Sequence, residues 1–245
     1  GLDWDNDPVY QSQRFRYYED CLARLDAKAL LYPCYCTRRE LHAAPTEASA
    51  PHAAAPVYPG RCRELTQAQR MELEAQGRRA SLRLAVPDRV YSLTDRHLGP
   101  YAANLAREVG DFILRRSDGL YAYQLAVVAD DAAMGITEVV RGRDLLSSTP
   151  QQLYLQEVLD FPHPSYCHLP LLLAPDGRRL SKREGDLSLR ALSKRYRSQE
   201  IVGLLAHWAG LLDTPRPVDP GDLIPEFSWE RVPQQDIAVA GLFPA

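Results

Sequence analysis

The sequence lacks any apolar run long enough to cross a bilayer. About 18 to 20 consecutive apolar residues are needed, and the longest candidate, Ile201 to Leu212, is broken by His207 and two glycines. It also lacks a basic excess: 29 Lys and Arg stand against 32 Asp and Glu, a formal charge of -3. Nonspecific nucleic-acid binders draw most of their affinity from neutralising phosphates. The charge balance therefore argues against a binder that works by bulk charge and leaves room only for a local basic surface. Arg178, Arg179, Lys182, Arg183, Lys194, Arg195 and Arg197 offer one, with a solvated basic face as the plain alternative. Cysteine is scarce and odd in number, at 21, 34, 36, 62 and 167. That argues against a disulfide framework and for a reducing cytosol, where thiols persist as metal ligands or small buried side chains. No basic segment leads into an apolar one as a secretory signal would, and no internal repeat is visible.

What is present is 245 residues, 45% of them hydrophobic, enough for one substantial core or a core with a smaller lobe. Apolar residues at Tyr18, Cys21, Leu22, Leu25 and Ala29 predict a helix over 17–31, ended by Pro33. Ala43 to Ala55, rich in Ala, Pro, Ser and Thr, reads as a surface insertion that could bury little. Thr66 and Gln69 form a capping-box pattern, with Gly77 to close the helix. Ser81 to Val86 alternates as a strand does, up to Pro87. Asp118-Gly119 predicts a hairpin joining strands at Asp111 to Arg116 and Tyr121 to Ala129, and Ile136 to Val140 reads as a further strand. Thr149, Pro150 and Gln152 read as cap, first-turn proline and capping-box partner of a helix. The run His168 to Leu173 leads to a turn at Pro175-Asp176-Gly177. Helical patterns follow from Leu187 to Tyr196 and, capped by Ser198, to Gly210, with Ile201, Leu204, Leu205 and Trp208 on one face. Short buried strands mixed with helices predict an α/β core followed by a helical lobe.

One cluster carries metal chemistry. Cys34 and Cys36 can face one ion across a tight turn, and Tyr58 and Cys62 lie beyond the insertion with Gly60 between them. Three thiolates and one further donor would make a closed four-coordinate zinc site, which holds a loop in place. His42 and His52 compete with Tyr58 for the fourth position, and three ordinary buried thiols remain the plain alternative.

Several segments together resemble the glutamyl-tRNA synthetase group of class I aminoacyl-tRNA synthetases. They are GLDWD at 1–5, YQSQR at 10–14, YPCYCTRREL at 32–41, YPGRC at 58–62, DFILRRSDGLYAYQLAVVADD at 111–131, GITEVVRGRDLL at 135–146, HLPLLL at 168–173 and RRLSKREG at 178–185. The resemblance implies an α/β fold, a class I synthetase Rossmann-type catalytic domain. It divides the chain into part of the Rossmann domain at 1–31, an inserted zinc-bearing acceptor-stem-like subdomain at 32–110, the second Rossmann half at 111–185 and a helical stem-contact-like region at 186–245. It implies that Tyr123 and Arg141 bind glutamate, that His168 and Leu169 border the adenine of ATP through backbone contacts, and that Leu180, Ser181 and Lys182 form the KMSKS-type loop. Lys182 would meet the phosphates and stabilise charge in the transition state. Without the resemblance, Tyr123 would read as a strand-end core tyrosine and Arg141 as a surface arginine beside Glu138 and Asp144. Asp130-Asp131 could orient a substrate amine or cap the next turn.

The same resemblance implies Cys34, Cys36, Tyr58 and Cys62 as ligands of a structural Zn2+, with ATP and Mg2+ as substrate. The family's first strand and HIGH-like motif have no counterpart in these residues, and little follows Leu212. The chain is therefore expected to be a portion of a longer protein without an anticodon-binding domain. That pattern fits the truncated branch of the group, which attaches glutamate to queuosine in the anticodon loop of tRNA(Asp). The expected protein is a cytoplasmic monomer. A truncated enzyme charging tRNA(Glu), or a noncatalytic synthetase-derived RNA-binding protein, are the alternatives.

Overall fold

The computed structural model describes residues 4–42, 57–178, 180 and 189–239. In chain order the elements are α1 (Phe15–Ala27), β1 (Leu31–Cys34), α2 (Arg38–His42), α3 (Gln67–Ala75), β2 (Ser81–Leu84), β3 (Val90–Asp95) and β4 (Gly99–Asn104). They continue through a π-helical turn to β5 (Phe112–Arg115), α4 (Tyr123–Ala133), β6 (Glu138–Gly142), α5 (Thr149–Val158), β7 (Ser165–Leu169) and β8 (Leu172–Leu173). The last are α6 (Leu189–Leu192), α7 (Ser198–Trp208), α8 (Pro220–Leu223) and β9 (Ile237–Ala238). Antiparallel β1, β2 and β5 form one sheet in that order, β3 and β4 a hairpin, and β6 and β7 a parallel pair joined through α5.

Apolar periodicity sets the main core. Helix α1 buries Tyr18, Cys21, Leu22 and Leu25 on one stripe, and these meet Leu84, Leu114, Leu125 and Leu155 from the sheet, α4 and α5. A second, smaller cluster gathers Tyr32, Cys34, Tyr35, Tyr58 and Cys62. Buried Asp130 ties the opening segment to α4, accepting from Arg14 and, at 2.7 Å, from the Tyr18 hydroxyl. Among the described residues no helix is long and apolar enough to cross a membrane.

The Thr66 and Gln69 capping box is formed in both halves, and Gly77 beyond it has a left-handed φ of 78°. Six expectations need correction. Helix α1 ends at Ala27, with Ala29 left-handed, and Pro33 lies within β1 rather than after a helix. Strand β1 is the sheet's edge, where a missing N–H is tolerated. The Asp118-Gly119 turn is real, closed by Arg116 N–H to Leu120 O at 2.8 Å, but the chain beyond it winds into helix α4 rather than a second strand. Its buried set, Leu125, Ala126, Val128 and Ala129, fits a helical face, and only an isolated bridge between Arg115 and Tyr121 remains of the hairpin.

Thr149 does not cap α5: a 3-10 turn over Arg143–Ser148 runs directly into that helix, and the Thr149 N–H itself bonds the Leu146 carbonyl. Thr149 instead donates its hydroxyl to Leu145 O at 3.4 Å. In the helical lobe, α6 spans only Leu189–Leu192, and Arg197 rather than Ser198 is the cap residue of α7, its N–H bound by Glu200 at 2.7 Å. Leu205 is exposed, because the packed face of α7 is Ile201, Gly203 and Ala206. Gly203 decides this: the Arg216 carbonyl approaches so closely that a Cβ there would sit 1.8 Å from it. The Ala43 to Ala55 insertion lies outside the described residues.

Replacing Gly203 by Ala should therefore cost about 1–3 kcal/mol of stability through overpacking. Urea unfolding of the variant beside the parent measures it, and an unchanged midpoint would show that the 216 segment moves aside freely.

Candidate functional site

The hairpin of β3 and β4 ends its first strand in Asp95, whose side chain is fully buried and whose two carboxylate oxygens are both engaged. One oxygen accepts from the N–H groups of His97, Leu98 and His168 at 3.0, 2.9 and 3.2 Å, and the other meets His168 Nδ1 at 2.6 Å. Burial alone would raise the Asp95 carboxyl, but these donors outweigh it and hold it below the ordinary value. His168 is fully buried on β7, and burial pushes its imidazole below the ordinary value, with Arg141 adding to the shift and Asp95 opposing it. The neutral ring therefore donates from Nδ1 and accepts at Nε2.

What His168 accepts is Arg141. The two residues face each other in register at the carboxyl ends of parallel β6 and β7, where open α/β sheets commonly bind ligands. Arg141 Nε lies 3.0 Å from His168 Nε2, and Nη2 donates to Thr149 Oγ1 at 2.9 Å. The guanidinium carbon stands 5.2 Å from the Tyr166 ring centre, and Nη1 makes no hydrogen bond to any described residue. Glu138, the expected surface partner, pairs with Arg96 instead. Tyr166 is fixed by Gln156 at 2.9 Å, and Arg141, Asp131 and Tyr123 all act on it electrostatically. Tyr123, at the first position of α4, is 49% exposed, and no hydrogen bond joins it to Arg141. Asp130 is consumed by Arg14 and Tyr18, whereas half-buried Asp131 has its carboxyl raised by burial and lowered by Arg141.

A second constellation lies at the smaller cluster. The sulfurs of Cys34, Cys36 and Cys62 fall within 4.8 Å of one another, Cys36 and Cys62 at 3.6 Å. The Tyr58 hydroxyl is 3.3 Å from the Cys34 sulfur and 3.7 Å from that of Cys36. Around a tetrahedral zinc, neighbouring sulfur and oxygen donors would be roughly 3.5–3.8 Å apart, so the four donors fit such an ion. Tyr58 is positioned by its parallel bridge to Gly110, where a Cβ would stand 2.7 Å from the Tyr58 nitrogen. In the protein alone, burial pushes the Cys36 thiol up to about 12 and the Tyr58 hydroxyl higher still. Metal binding at such a site releases protons. The His42 side chain and all of His52 lie outside the described residues.

Leu169 follows His168 in β7, and Leu180 is half-buried. Ser181 and Lys182 lie outside the described residues. Sequence reasoning missed Asp95 and Thr149, which position Arg141. Asp95, four residues before Gly99, resembles any turn aspartate, and Thr149 carried a different expected role. No local signal marks either.

Residues 1–202 match the family described as tRNA synthetases class I (E and Q), catalytic domain. The chain is 47% identical over 251 residues to the glutamyl-Q tRNA(Asp) synthetase of Symbiobacterium thermophilum, covering 98% of this chain and 76% of that protein. Its identity to the glutamyl-Q tRNA(Asp) synthetase of Nocardia farcinica is 47% over 236 residues, covering 96% and 72%. Among solved structures, a glutamate-tRNA synthetase from Elizabethkingia anophelis aligns with a TM-score of 0.74 at 25% identity, covering 96% of this chain and 52% of that one. A glutamate tRNA ligase from Elizabethkingia meningosepticum, in complex with its amino acid, gives 0.73 at 24% identity, with coverage of 97% and 52%. The chain thus spans about half of each solved protein.

The buried imidazole has a thermodynamic signature. Its folded value lies below its unfolded one near 6.5, so the stabilisation is complete above that pH. As pH falls below 6.5 the unfolded chain takes up a proton that folded His168 resists, and stability drops by at most about 1.4 kcal/mol per pH unit. Urea unfolding between pH 5 and 8 should show this component in the parent and not in His168→Asn. Equal slopes in the two proteins would mean that His168 is not held neutral.

Proposed function

Since this chain belongs to the class I tRNA synthetases for E and Q and, within them, to the glutamyl-Q tRNA(Asp) synthetases, we propose that the intact protein activates glutamate with ATP and transfers it to queuosine in the anticodon loop of tRNA(Asp). Its fold is the α/β, Rossmann-type class I synthetase catalytic fold, with a cysteine-rich subdomain and a C-terminal helical region. In the first step the glutamate α-carboxylate attacks the α-phosphorus of ATP, giving glutamyl-adenylate and pyrophosphate, with Mg2+ on the phosphates. In the second, a hydroxyl of the queuosine cyclopentene ring attacks the activated carbonyl and AMP leaves. Positioning and electrostatic stabilisation carry both steps.

The observation that carries this reading is the placement of Arg141. With Nε on His168 and Nη2 on Thr149, its guanidinium is held at the ends of β6 and β7 with Nη1 unbonded among the described residues, an arrangement suited to a substrate carboxylate. Tyr123, exposed nearby, would donate its hydroxyl to the same substrate. His168 has its ring committed to Asp95 and Arg141, so with Leu169 it would meet adenine through backbone groups. Lys182, flanked by Leu180 and Ser181, would neutralise charge on the transferring nucleotidyl group. Cys34, Cys36, Tyr58 and Cys62 would hold a structural Zn2+, which fixes their loops by ligation where little core is available. We take the protein to act as a cytoplasmic monomer.

Pyrophosphate exchange by the intact protein tests the reading. Exchange with glutamate and ATP and no tRNA is expected; exchange that requires tRNA(Glu) would point to an ordinary glutamyl-tRNA synthetase, and none at all would remove catalysis. In that assay Lys182→Ala should cut the rate at least about tenfold with unchanged folding, a modest share of what electrostatic groups supply. Arg141→Ala should raise the KM for glutamate far more than that for ATP. For the metal, atomic absorption of Cys62→Ser should find well under one zinc per chain, and a full equivalent would show that Cys62 is not a ligand.

A further inference from the structure

Arg83 lies on β2, the middle strand of the three-stranded sheet, and is only 5% exposed. A buried guanidinium ordinarily faces a carboxylate, because an uncompensated buried charge is costly. Among the described residues Arg83 has none within ion-pair distance. Asp111, the acid beside it, gives its side chain to Arg63, to the Tyr32 hydroxyl and to the Val86 N–H. Arg83 Nη1 donates to the Asp111 backbone carbonyl at 2.6 Å, and Nε is buried without a hydrogen-bond partner.

What the guanidinium does face is the cysteine cluster. Its central carbon stands 3.8 Å from the centre of the Tyr58 ring, a stacked cation–π contact. The hydroxyl of that same ring lies 3.3 Å from the Cys34 sulfur. Three thiolates that bind one divalent ion keep a single net negative charge, and Tyr58 bound as phenolate would add a second. The Arg63 and Asp111 charges cancel each other, which leaves, among the described residues, the buried Arg83 cation beside the anionic complex.

We propose that Arg83 is the counter-charge of the metal centre, offsetting the negative charge that three thiolates retain around a divalent ion. The proposal rests on the reading that Cys34, Cys36, Tyr58 and Cys62 hold zinc. It assigns Arg83 no contact with the ion itself: it acts on the complex through charge and through the face of Tyr58. The same residue joins the centre to the sheet through the Asp111 carbonyl, so ligation and sheet packing share one side chain.

Zinc affinity measured on the full chain by competition with a chromophoric chelator tests this, with zinc content determined first. A wild-type protein that holds no zinc would sink the zinc reading itself, separately from the role of Arg83. With zinc bound, Arg83→Gln, which removes the charge and keeps hydrogen-bonding capacity, should weaken affinity about 10- to 100-fold, the range for groups behind metal ligands. Arg83→Lys keeps the charge and gives up the stacking and the planar guanidinium that bonds the Asp111 carbonyl, so if charge is what matters its affinity should stay within about threefold of wild type. Wild-type affinity in Arg83→Gln would overturn the proposal, as would a loss in Arg83→Lys as large as that in Arg83→Gln. If Arg83→Gln does not fold, Arg83→Lys decides: near wild-type affinity supports the charge role, and a tenfold loss overturns it.

Discussion

The Asp95 carboxylate is the constraint on which the placement of Arg141 depends. It is buried at the end of β3 and takes three backbone N–H groups together with the His168 ring. Those bonds do two things at once. They dock the β3 and β4 hairpin on β7, helped by Arg96 N–H to Tyr166 O at 2.9 Å, and they fix which His168 nitrogen carries the proton. Only that tautomer leaves Nε2 free to accept from Arg141, so a hairpin residue with no substrate contact orients the arginine proposed to bind substrate. Low local polarity strengthens each bond and makes each vacancy expensive, which gives such a relay little tolerance for partial occupation.

Asp111 plays the corresponding part at the other constellation. Its carboxylate gathers Tyr32 from β1, Arg63 from the loop after Cys62, and the Val86 N–H that follows β2, while its carbonyl takes Arg83. Segments on both sides of the 43–56 stretch are thus tied to the sheet by one residue. Two buried acids, each serving segments far apart in sequence, hold the two candidate sites to a common frame. The parallel pair and the antiparallel sheet need not touch for both to be rigid against α1, α4 and α5, which supply the shared core.

The cysteine constellation was legible because thiols are rare in this chain and their spacing is short, so the number of arrangements is small. The capping box at Thr66 was legible because both partners are local. Helix α4 was misread since Tyr121 to Ala129 is apolar enough to satisfy either a buried strand or a buried helix, and Asp118-Gly119 tipped the balance toward a hairpin; the turn formed, but the chain then coiled. Arg141 was placed by resemblance, whereas its supports, Asp95 and Thr149, are ordinary residues whose meaning comes only from contacts 73 and 8 positions away in the chain. Arg83 stayed hidden for the same reason: in an alternating strand a charged residue reads as solvent-facing, and the aromatic face and sulfur that draw it inward arrive from other segments.

The pairing of β8 with β9 has a bearing on how the molecule is made. Ile237 N–H bonds Leu171 O and Val239 N–H bonds Leu173 O, both at 2.9 Å, and the Asp236 side chain accepts from the Leu171 N–H. The stretch that leads toward Leu180 is therefore fastened by residues synthesised more than sixty positions later. Long-range parallel pairing of this kind forms late, after the local helices and the hairpin. During translation the N-terminal constellations can assemble while Leu171 to Leu173 still await their partner, so the two-stranded β8–β9 sheet is the last to close.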